Sequence, residues 1–181
     1  MDRGSFYSSG LISMLLKLPS AKFVIATLGE DGSIMLERAE TGDIQPEEVD
    51  IDDLFEKMKQ SIDTSTLPTC KTSDVAKLHA KGIGTVCRRL LVGTAEKIPS
   101  SEIVDTTGAG DAFVGAVLYS LCANFPPEKM LMYASQVVRR GHEEAGQEKT
   151  RQEGAGQEKT VGREEVVDID YGWIYSQQTQ S

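Results

Sequence analysis

The chain has 181 residues, 39% of them hydrophobic, and a formal net charge of −9. This length is sufficient for one domain with its own core, and the acidic balance excludes a general nucleic-acid binder, because such proteins need basic patches to displace counterions. The apolar stretch Leu11–Leu18 is too short to span a membrane, and no convincing signal-peptide cleavage site follows it.

The thiols and imidazoles argue against a fold held by disulfides or metal. Cys70, Cys87 and Cys122 are far apart and odd in number, which favours reduced thiols in a cytoplasmic compartment. His79 and His142 each stand alone, without a second histidine or a cysteine at ligand spacing. We therefore expect no metal site built on these residues.

At the amino end, the sequence predicts a helix and then a β-hairpin. Met1–Gly10 is polar and rich in small residues, which predicts a loose terminus, whereas Leu11–Leu18 has apolar residues at helical spacing. Lys22–Thr27 is an apolar run typical of a buried strand. After a turn at Gly29–Gly32, a returning strand is predicted over Ser33–Arg38.

The next part of the chain alternates between acidic, apolar and hydroxyl-rich composition. Glu40–Asp53 contains no Lys or Arg and predicts a solvated loop. Apolar residues at helical spacing then predict a short surface helix at Ile51, Leu54, Phe55 and Met58. Ser61–Ser73 is rich in Ser and Thr and predicts a loop, and Val75–Ala80 predicts a helix that ends before Gly82.

Two arginines lie in the middle of the next predicted strand, Val86–Thr94. Adjacent charges at Arg88 and Arg89 suit either the edge of a sheet or a contact with phosphate, and the edge interpretation is favoured. A turn that contains Pro99 follows.

A glycine-rich turn then opens a helix. The run from Ile103 through Asp105-Thr-Thr-Gly-Ala-Gly-Asp-Ala-Phe113 joins a short apolar lead to a tight turn at Gly108 and Gly110. The amide groups at a helix start bind phosphate oxygens readily. Asp111 stands at this start, where it either caps the helix or acts as a general base beside an anion site.

Two predicted helices are followed by a segment of low-complexity composition. The first helix starts at Gly110, and the second spans Pro127–Arg140. Glu143–Glu165 contains a duplicated Ala-Gly-Gln-Glu-Lys-Thr unit with almost no apolar residue, which predicts a disordered segment or a solvated helix. Val166–Tyr175 is apolar and aromatic and predicts a strand or short helix that docks back on the domain.

The glycine-rich run resembles the carboxyl-terminal signature of the PfkB (ribokinase-type) carbohydrate kinases. The segment Phe23-Val-Ile-Ala-Thr-Leu-Gly-Glu-Asp-Gly32 resembles the strand and turn that precede this signature in the same family. The resemblance extends from about Lys22 to Val138, with a poorly matching middle. It implies an α/β fold, specifically part of a ribokinase-like three-layer sandwich: the carboxyl-terminal, nucleotide-binding half without the lid.

The resemblance also implies roles for single residues. The aspartate that matches Asp111 deprotonates the sugar hydroxyl. The main chain that holds the transferring phosphate matches Gly108, Ala109, Gly110 and Asp111. Positions that contact ATP match Thr27, Gly29, Gly32 and Gly110, and a polar residue near the adenine matches Ser135. Ligands of a monovalent cation, usually K⁺, match Asp105 and Thr107. ATP with Mg²⁺ would be the phosphoryl donor.

The sequence also departs from the family pattern. The Gly-Gly sugar-binding motif, the β lid and the Asn-x-x-Glu region associated with Mg²⁺ are not visible. The kinase prediction therefore has two alternatives: a truncated, catalytically silent chain that binds nucleotide or a partner, and a fragment that does not fold alone. An open sheet edge would be a liability, so a homodimer or a partner that covers it is expected.

Four regions are expected on this basis. Residues 1–20 form an amino-terminal extension, 21–142 the nucleotide-binding region, 143–165 the repeat segment and 166–181 a tail. The expected substrate is a small sugar, with neither nucleic acid nor a membrane as partner, and the expected compartment is the cytoplasm. The identity of the sugar cannot be read, because the residues that would choose it are not visible.

Overall fold

The structure is a computed structural model, and it describes residues 3–38, 46–62, 67–97, 107–139 and 173–175. The helices of these residues are α1 (Arg3–Lys17), α2 (Ile51–Gln60), α3 (Ala109–Cys122) and α4 (127–139). The strands are β1 (Phe23–Thr27), β2 (Ser33–Glu37), β3 (Glu48–Asp50), β4 (Cys70–Ala80), β5 (Gly84–Gly93) and β6 (Trp173–Tyr175). Within this part of the chain, no helix has the length and apolar character needed to cross a membrane.

The six strands form one sheet in the order β3-β4-β5-β2-β1-β6. Neighbouring strands are antiparallel except β3 and β4, which are parallel. The predicted hairpin of β1 and β2 is confirmed, with Thr27 opposite Ser33 at its closed end and a short 3-10 turn at Gly29–Asp31 between the strands. β6 pairs with the outer edge of β1, so a strand in the predicted segment Val166–Tyr175 is also confirmed.

Helices pack on both faces of this sheet because successive side chains of a strand point to opposite faces. On one face, which we call the α1/α2 face, Val24, Leu36 and Leu90 meet the apolar sides of α1 and α2. On the other, the α3/α4 face, Ile25 and Met35 meet residues of α3 and α4. The fold is therefore mixed α/β, as predicted.

Helix α2 has a side-chain cap and one apolar face. Asp50 Oδ1 accepts hydrogen bonds from the amides of Asp52 and Asp53, at 2.9 and 3.4 Å, which satisfies two amides of the first turn. The helix then buries Ile51, Phe55 and Met58, which lie on one side at helical spacing. The helix predicted here is confirmed.

The prediction of a loose terminus at Met1–Gly10 is wrong from Arg3 onward, because α1 starts there. Ser8 is fully buried and its hydroxyl donates a hydrogen bond to the carboxylate of Asp52, so α1 is tied to α2. The glycines and serines of this stretch are weak helix formers. Packing against the sheet overrides their low propensity.

The predictions of a loop over Ser61–Ser73 and of a helix over Val75–Ala80 are wrong from Cys70 to Ala80, because these residues form β4. β4 buries Ala76, Leu78 and Ala80, which alternate along the strand, and it pairs with β5 from Cys70 to Ala80. Ala, Lys and Leu favour helices in isolation, but the pairing with a long neighbouring strand decides the outcome.

The edge interpretation of Arg88 and Arg89 is also wrong, since β5 lies between β4 and β2. Arg88 donates to the carbonyl of Cys87 at 2.8 Å. Burial lowers the pKa of the Arg88 guanidinium, and the nearby charge of Arg38 lowers it further.

Several predictions fall on residues outside the described ranges. These include the repeat over Glu143–Glu165, residues 40–45 of the loop predicted over Glu40–Asp53, and the cation ligand expected at Asp105. The loop prediction is wrong from Glu48 onward, where β3 begins and α2 follows. The division into four regions stays a prediction.

Candidate functional site

One row of residues crosses the sheet at the closed end of the β1–β2 hairpin. Thr27 lies opposite Ser33, Ser33 opposite Gly93, and Gly93 opposite Cys70. Directly opposed residues share a face. A Cβ on Gly93 would lie 3.3 Å from the Leu131 Cβ of α4, so this row belongs to the α3/α4 face.

The hairpin turn packs against the segment that follows β5. Gly32 has φ +94°, and a Cβ there would lie 2.8 Å from the amide nitrogen of Ala95, 2.9 Å from the carbonyl carbon of Thr94 and closer still to the Gly93 oxygen. Only glycine fits both the backbone angle and the space. The turn that resembles an ATP-binding turn therefore touches the segment that continues toward the glycine-rich run.

Helix α4 approaches the sheet closely at Gly93. A Cβ on Gly93 would meet both Leu131 of α4 and the Ser33 hydroxyl, the latter at 2.9 Å. Ser33 is fully buried, and among the described residues its Oγ has no hydrogen-bond partner. The absence of a side chain at position 93 is thus what lets α4 rest on this end of the sheet.

One side of α4 contacts the end of β5 and the segment after it. Leu131, Ser135 and Arg139 recur every four residues and lie on one side of the helix. Leu131 packs at Gly93, and Arg139 Nη1 lies 2.6 Å from Glu96 Oε1. Ser135 lies between these two contacts and is 8% exposed, so it sits on the stretch of α4 beside the end of β5.

The start of α3 is a glycine turn. Gly108 is the residue before the helix, with φ +81°, and as a glycine it offers no side-chain cap. A Cβ on Gly108 or Gly110 would meet no atom of the described structure within 4 Å. Within the described residues Gly108 and Gly110 are exposed, and amides at a helix start of this kind can bind an anion.

Asp111 is exposed in the first turn of α3. Within the described residues its carboxylate makes no hydrogen bond or ion pair. The backbone bond that starts the helix runs from the Ala112 amide to the Gly108 carbonyl, at 2.8 Å. Thr107 is also exposed and Ala109 is half-buried. An accessible carboxylate thus stands beside an open main-chain turn.

Helices α3 and α4 form a helical hairpin. The connection between them is short, and Tyr119 of α3 stacks on Tyr133 of α4 with ring centroids 5.6 Å apart, while Phe125 from the connection packs edge-on against both. Helices joined in this way are normally antiparallel. The start of α3 is then directed toward the end of α4, where Arg139 contacts Glu96.

The opposite end of α4 is held by a charged network. Arg89 Nε lies 2.5 Å from Glu37 Oε2, and Arg89 Nη1 lies 3.6 Å from Glu128 of α4. Thr72 donates to the same Glu128 oxygen at 3.1 Å. Burial raises the pKa of the neighbouring Cys70 thiol to about 12, and the Glu128 charge adds to the increase while Arg89 opposes it.

The structure thus brings Thr27, Gly32 and Ser135 to one end of the sheet. Gly29 is exposed in the same turn. Among the described residues, no group of three or more His, Cys, Asp or Glu side chains is arranged to hold a metal ion.

Sequence reasoning missed Ser33, Gly93, Glu96 and Arg139. Gly93 directly follows the apolar run of β5, and a glycine at that position is a signal of close backbone approach. Nothing in the sequence pairs Glu96 with Arg139, because their contact depends on the path of α4.

The comparisons with known proteins concern the second half of this site. No curated protein and no solved structure matches the chain. The model of the pfkB family carbohydrate kinases matches residues 91–140, a partial region that includes Gly108–Asp111 and Ser135 but not the hairpin turn at Gly29–Gly32. The resemblance to the pfkB family carbohydrate kinases is therefore confirmed over residues 91–140 of this chain.

Proposed function

We propose that this chain carries the phosphoryl-transfer site of an ATP-dependent kinase that acts on a hydroxyl of a sugar or sugar-like molecule. The observation that carries the proposal is the exposed Asp111 beside the open turn at Gly108, inside the region matched by the carbohydrate kinase family. The sheet with helices on both faces supports the nucleotide-binding part of a ribokinase-like three-layer sandwich.

Each residue of the site has a distinct task in this reaction. Asp111 accepts the proton of the acceptor hydroxyl, whose oxygen then bonds to the terminal phosphorus as the bond from that phosphorus to ADP breaks. The amides of Gly108–Gly110 hold the oxygens of the transferring group. ATP supplies the phosphoryl group when bound, and Mg²⁺ neutralises charge on its phosphates.

The nucleotide would lie between the hairpin turn and α4. Thr27, Gly29 and Gly32 border it on the sheet side, and Ser135 borders the adenine on the α4 side. We assign K⁺ to Asp105 and Thr107 on the family resemblance alone. The cytoplasm is proposed as the compartment, because all three cysteines are free thiols.

The test is a coupled assay with ATP, Mg²⁺, K⁺ and a panel of ribose, fructose, adenosine and inositol. Asp111→Asn keeps the shape of the side chain and is expected to lower kcat by about 10²- to 10⁴-fold, because the general base is lost. The melting temperature and the Kd for ATP are expected to stay close to the wild-type values. Asp53→Asn, which neutralises an exposed carboxylate in the first turn of α2, is the matched control.

Unchanged turnover by Asp111→Asn would refute the assigned base. Binding of ATP without turnover of any acceptor would instead support the alternative, a catalytically silent nucleotide-binding chain. Calorimetry with ATP on the same protein separates these two results.

A further inference from the structure

An ion pair with a nearly buried carboxylate joins the segment after β5 to the end of α4. Arg139 Nη1 lies 2.6 Å from Glu96 Oε1, and 9% of the Glu96 side chain and 41% of the Arg139 side chain are exposed. Because the Glu96 carboxylate is largely removed from solvent, loss of Arg139 would leave it poorly solvated. The pair of Lys59 and Asp31 differs in its carboxylate, since both of its side chains are about half exposed, and exposed pairs contribute little.

The segment that contains Glu96 is held by two further contacts. Thr94 donates its amide to the Thr69 carbonyl at 2.9 Å, and its hydroxyl accepts the Thr69 amide at 2.8 Å. On another side, Gly32 of the hairpin turn lies against Thr94 and Ala95. The start of β4, the hairpin turn and the end of α4 therefore converge on the same short segment.

This segment continues along the chain to the glycine-rich turn, and α4 carries Ser135 one helical turn before Arg139. We propose that Glu96 and Arg139 are positioning residues for phosphoryl transfer, which hold the hairpin turn, the 94–96 segment and α4 in one arrangement. The inference rests on the proposed kinase function. Both side chains act through the main chain of the segment and through α4, not on the reacting atoms.

The catalytic consequence follows from the geometry that the reaction needs. Phosphoryl transfer depends mainly on placing the donor and the charge-stabilising groups, and a misplacement of about 1 Å is enough to cost about 100-fold in rate. Loss of the ion pair removes a side-chain contact that ties the 94–96 segment to the end of α4. The expected effect is on kcat as well as on the KM for ATP.

The test compares Glu96→Gln with Glu37→Gln in the full chain. Each substitution removes the charge of one partly buried carboxylate that is linked to α4 through an arginine. Glu96 pairs with Arg139 at the end of α4. Glu37 pairs with Arg89, which also contacts Glu128 near the start of α4. Glu96→Gln is expected to lower kcat/KM for ATP by about 10- to 100-fold, whereas Glu37→Gln is expected to lower the melting temperature with kcat/KM preserved. Arg139→Lys keeps the charge and is expected to retain more activity than Arg139→Gln.

A second measurement needs no turnover. Hydrogen exchange of the protein without substrates is expected to become faster at residues 107–112 in Glu96→Gln and to stay unchanged there in Glu37→Gln. If the wild type turns over a sugar but Glu96→Gln alters neither kinetics nor exchange, the positioning role is wrong and the kinase function stands. An equal fall of kcat/KM in both variants would also overturn it, as general destabilisation explains that result.

If the wild type phosphorylates no acceptor, the kinase function fails and exchange alone decides the coupling. Faster exchange at residues 107–112 in Glu96→Gln alone would then support a structural link between the ion pair and the glycine-rich turn. Unchanged exchange would refute that link.

Discussion

The two faces of the sheet are built from different kinds of contact. The α1/α2 face is a continuous apolar cluster in which side chains such as Leu11, Leu36 and Leu78 are fully buried. The α3/α4 face has a smaller apolar cluster, bordered by the Arg89 network at one end and by Gly93 and the Glu96–Arg139 pair at the other. Every described candidate residue belongs to the α3/α4 face or to the turns at its end.

This difference indicates a division between stability and function. Apolar burial is non-directional and tolerates small shifts, whereas ion pairs and close backbone contacts fix positions. The proposed nucleotide site therefore lies where glycines and charged pairs define the geometry. Substitutions on the two faces are expected to differ in their effects on stability and on nucleotide binding.

The largest effect is expected from Gly32→Ala, at the junction of the hairpin turn and β5. The new Cβ would overlap the backbone of residues 93–95, and residue 32 would have to keep a φ of +94°. Neither a rotamer change nor a small shift relieves this overlap. We expect a loss of at least about 4 kcal/mol in the free energy of unfolding, or no folded protein. Urea denaturation measures this loss of free energy.

Gly29→Ala is the matched control, because Gly29 also has a positive φ, +61°, but a Cβ there would meet no described atom within 4 Å. Its expected cost is about 1 kcal/mol, from backbone strain alone. Equal losses for the two variants would show that the contact with residues 93–95 is unimportant.

A pair of leucine substitutions separates the two faces more directly. Leu11→Ala on the α1/α2 face and Leu131→Ala on the α3/α4 face each empty a fully buried position, and each is expected to cost about 3 kcal/mol. Only Leu131→Ala is expected to weaken ATP binding, since Leu131 seats α4 on Gly93. The Kd for ATP, measured by calorimetry well below both melting temperatures, tests this. Weaker binding by Leu11→Ala to the same extent would contradict the division.

The sequence predicts the hairpin and the helices with strong patterns but not every strand. β1, β2, β5 and α2–α4 have apolar runs or helical spacing that local reasoning detects. β4 does not, because the run from Val75 to Ala80 contains helix formers and becomes a strand only through pairing with β5. Likewise the helical state of Arg3–Gly10 depends on packing, as the buried Ser8 shows.

The site could be predicted only where residues are adjacent in sequence. Gly108, Gly110 and Asp111 form a contiguous motif, and the family match contains them. The contact of Gly32 with residues 93–95 and the pairing of Glu96 with Arg139 join distant parts of the chain. Such contacts depend on the register of β2 with β5 and on the path of α4, which no local pattern encodes.

The smallest expected effect is a pH dependence at Cys70. Burial raises the pKa of this thiol from 9.0 to about 12. Its contribution to stability is therefore fully present below pH 9 and is lost as the pH rises from 9 toward 12, because the unfolded state then releases the proton more readily. From about pH 8 to about pH 10, the free energy of unfolding should fall more steeply for the wild type than for Cys70→Ala. Parallel curves would contradict the burial of this thiol beside Glu128.

In the proposed function, the hairpin turn and the start of α3 bind the same nucleotide. Hydrogen exchange with and without saturating ATP and Mg²⁺, followed at residues 29–32, at residues 107–112 and in α2 as the reference, tests it most directly. We expect ATP to slow exchange in both turns together and to leave exchange in α2 unchanged. Protection of only one turn, or of neither while ATP is bound, would contradict it.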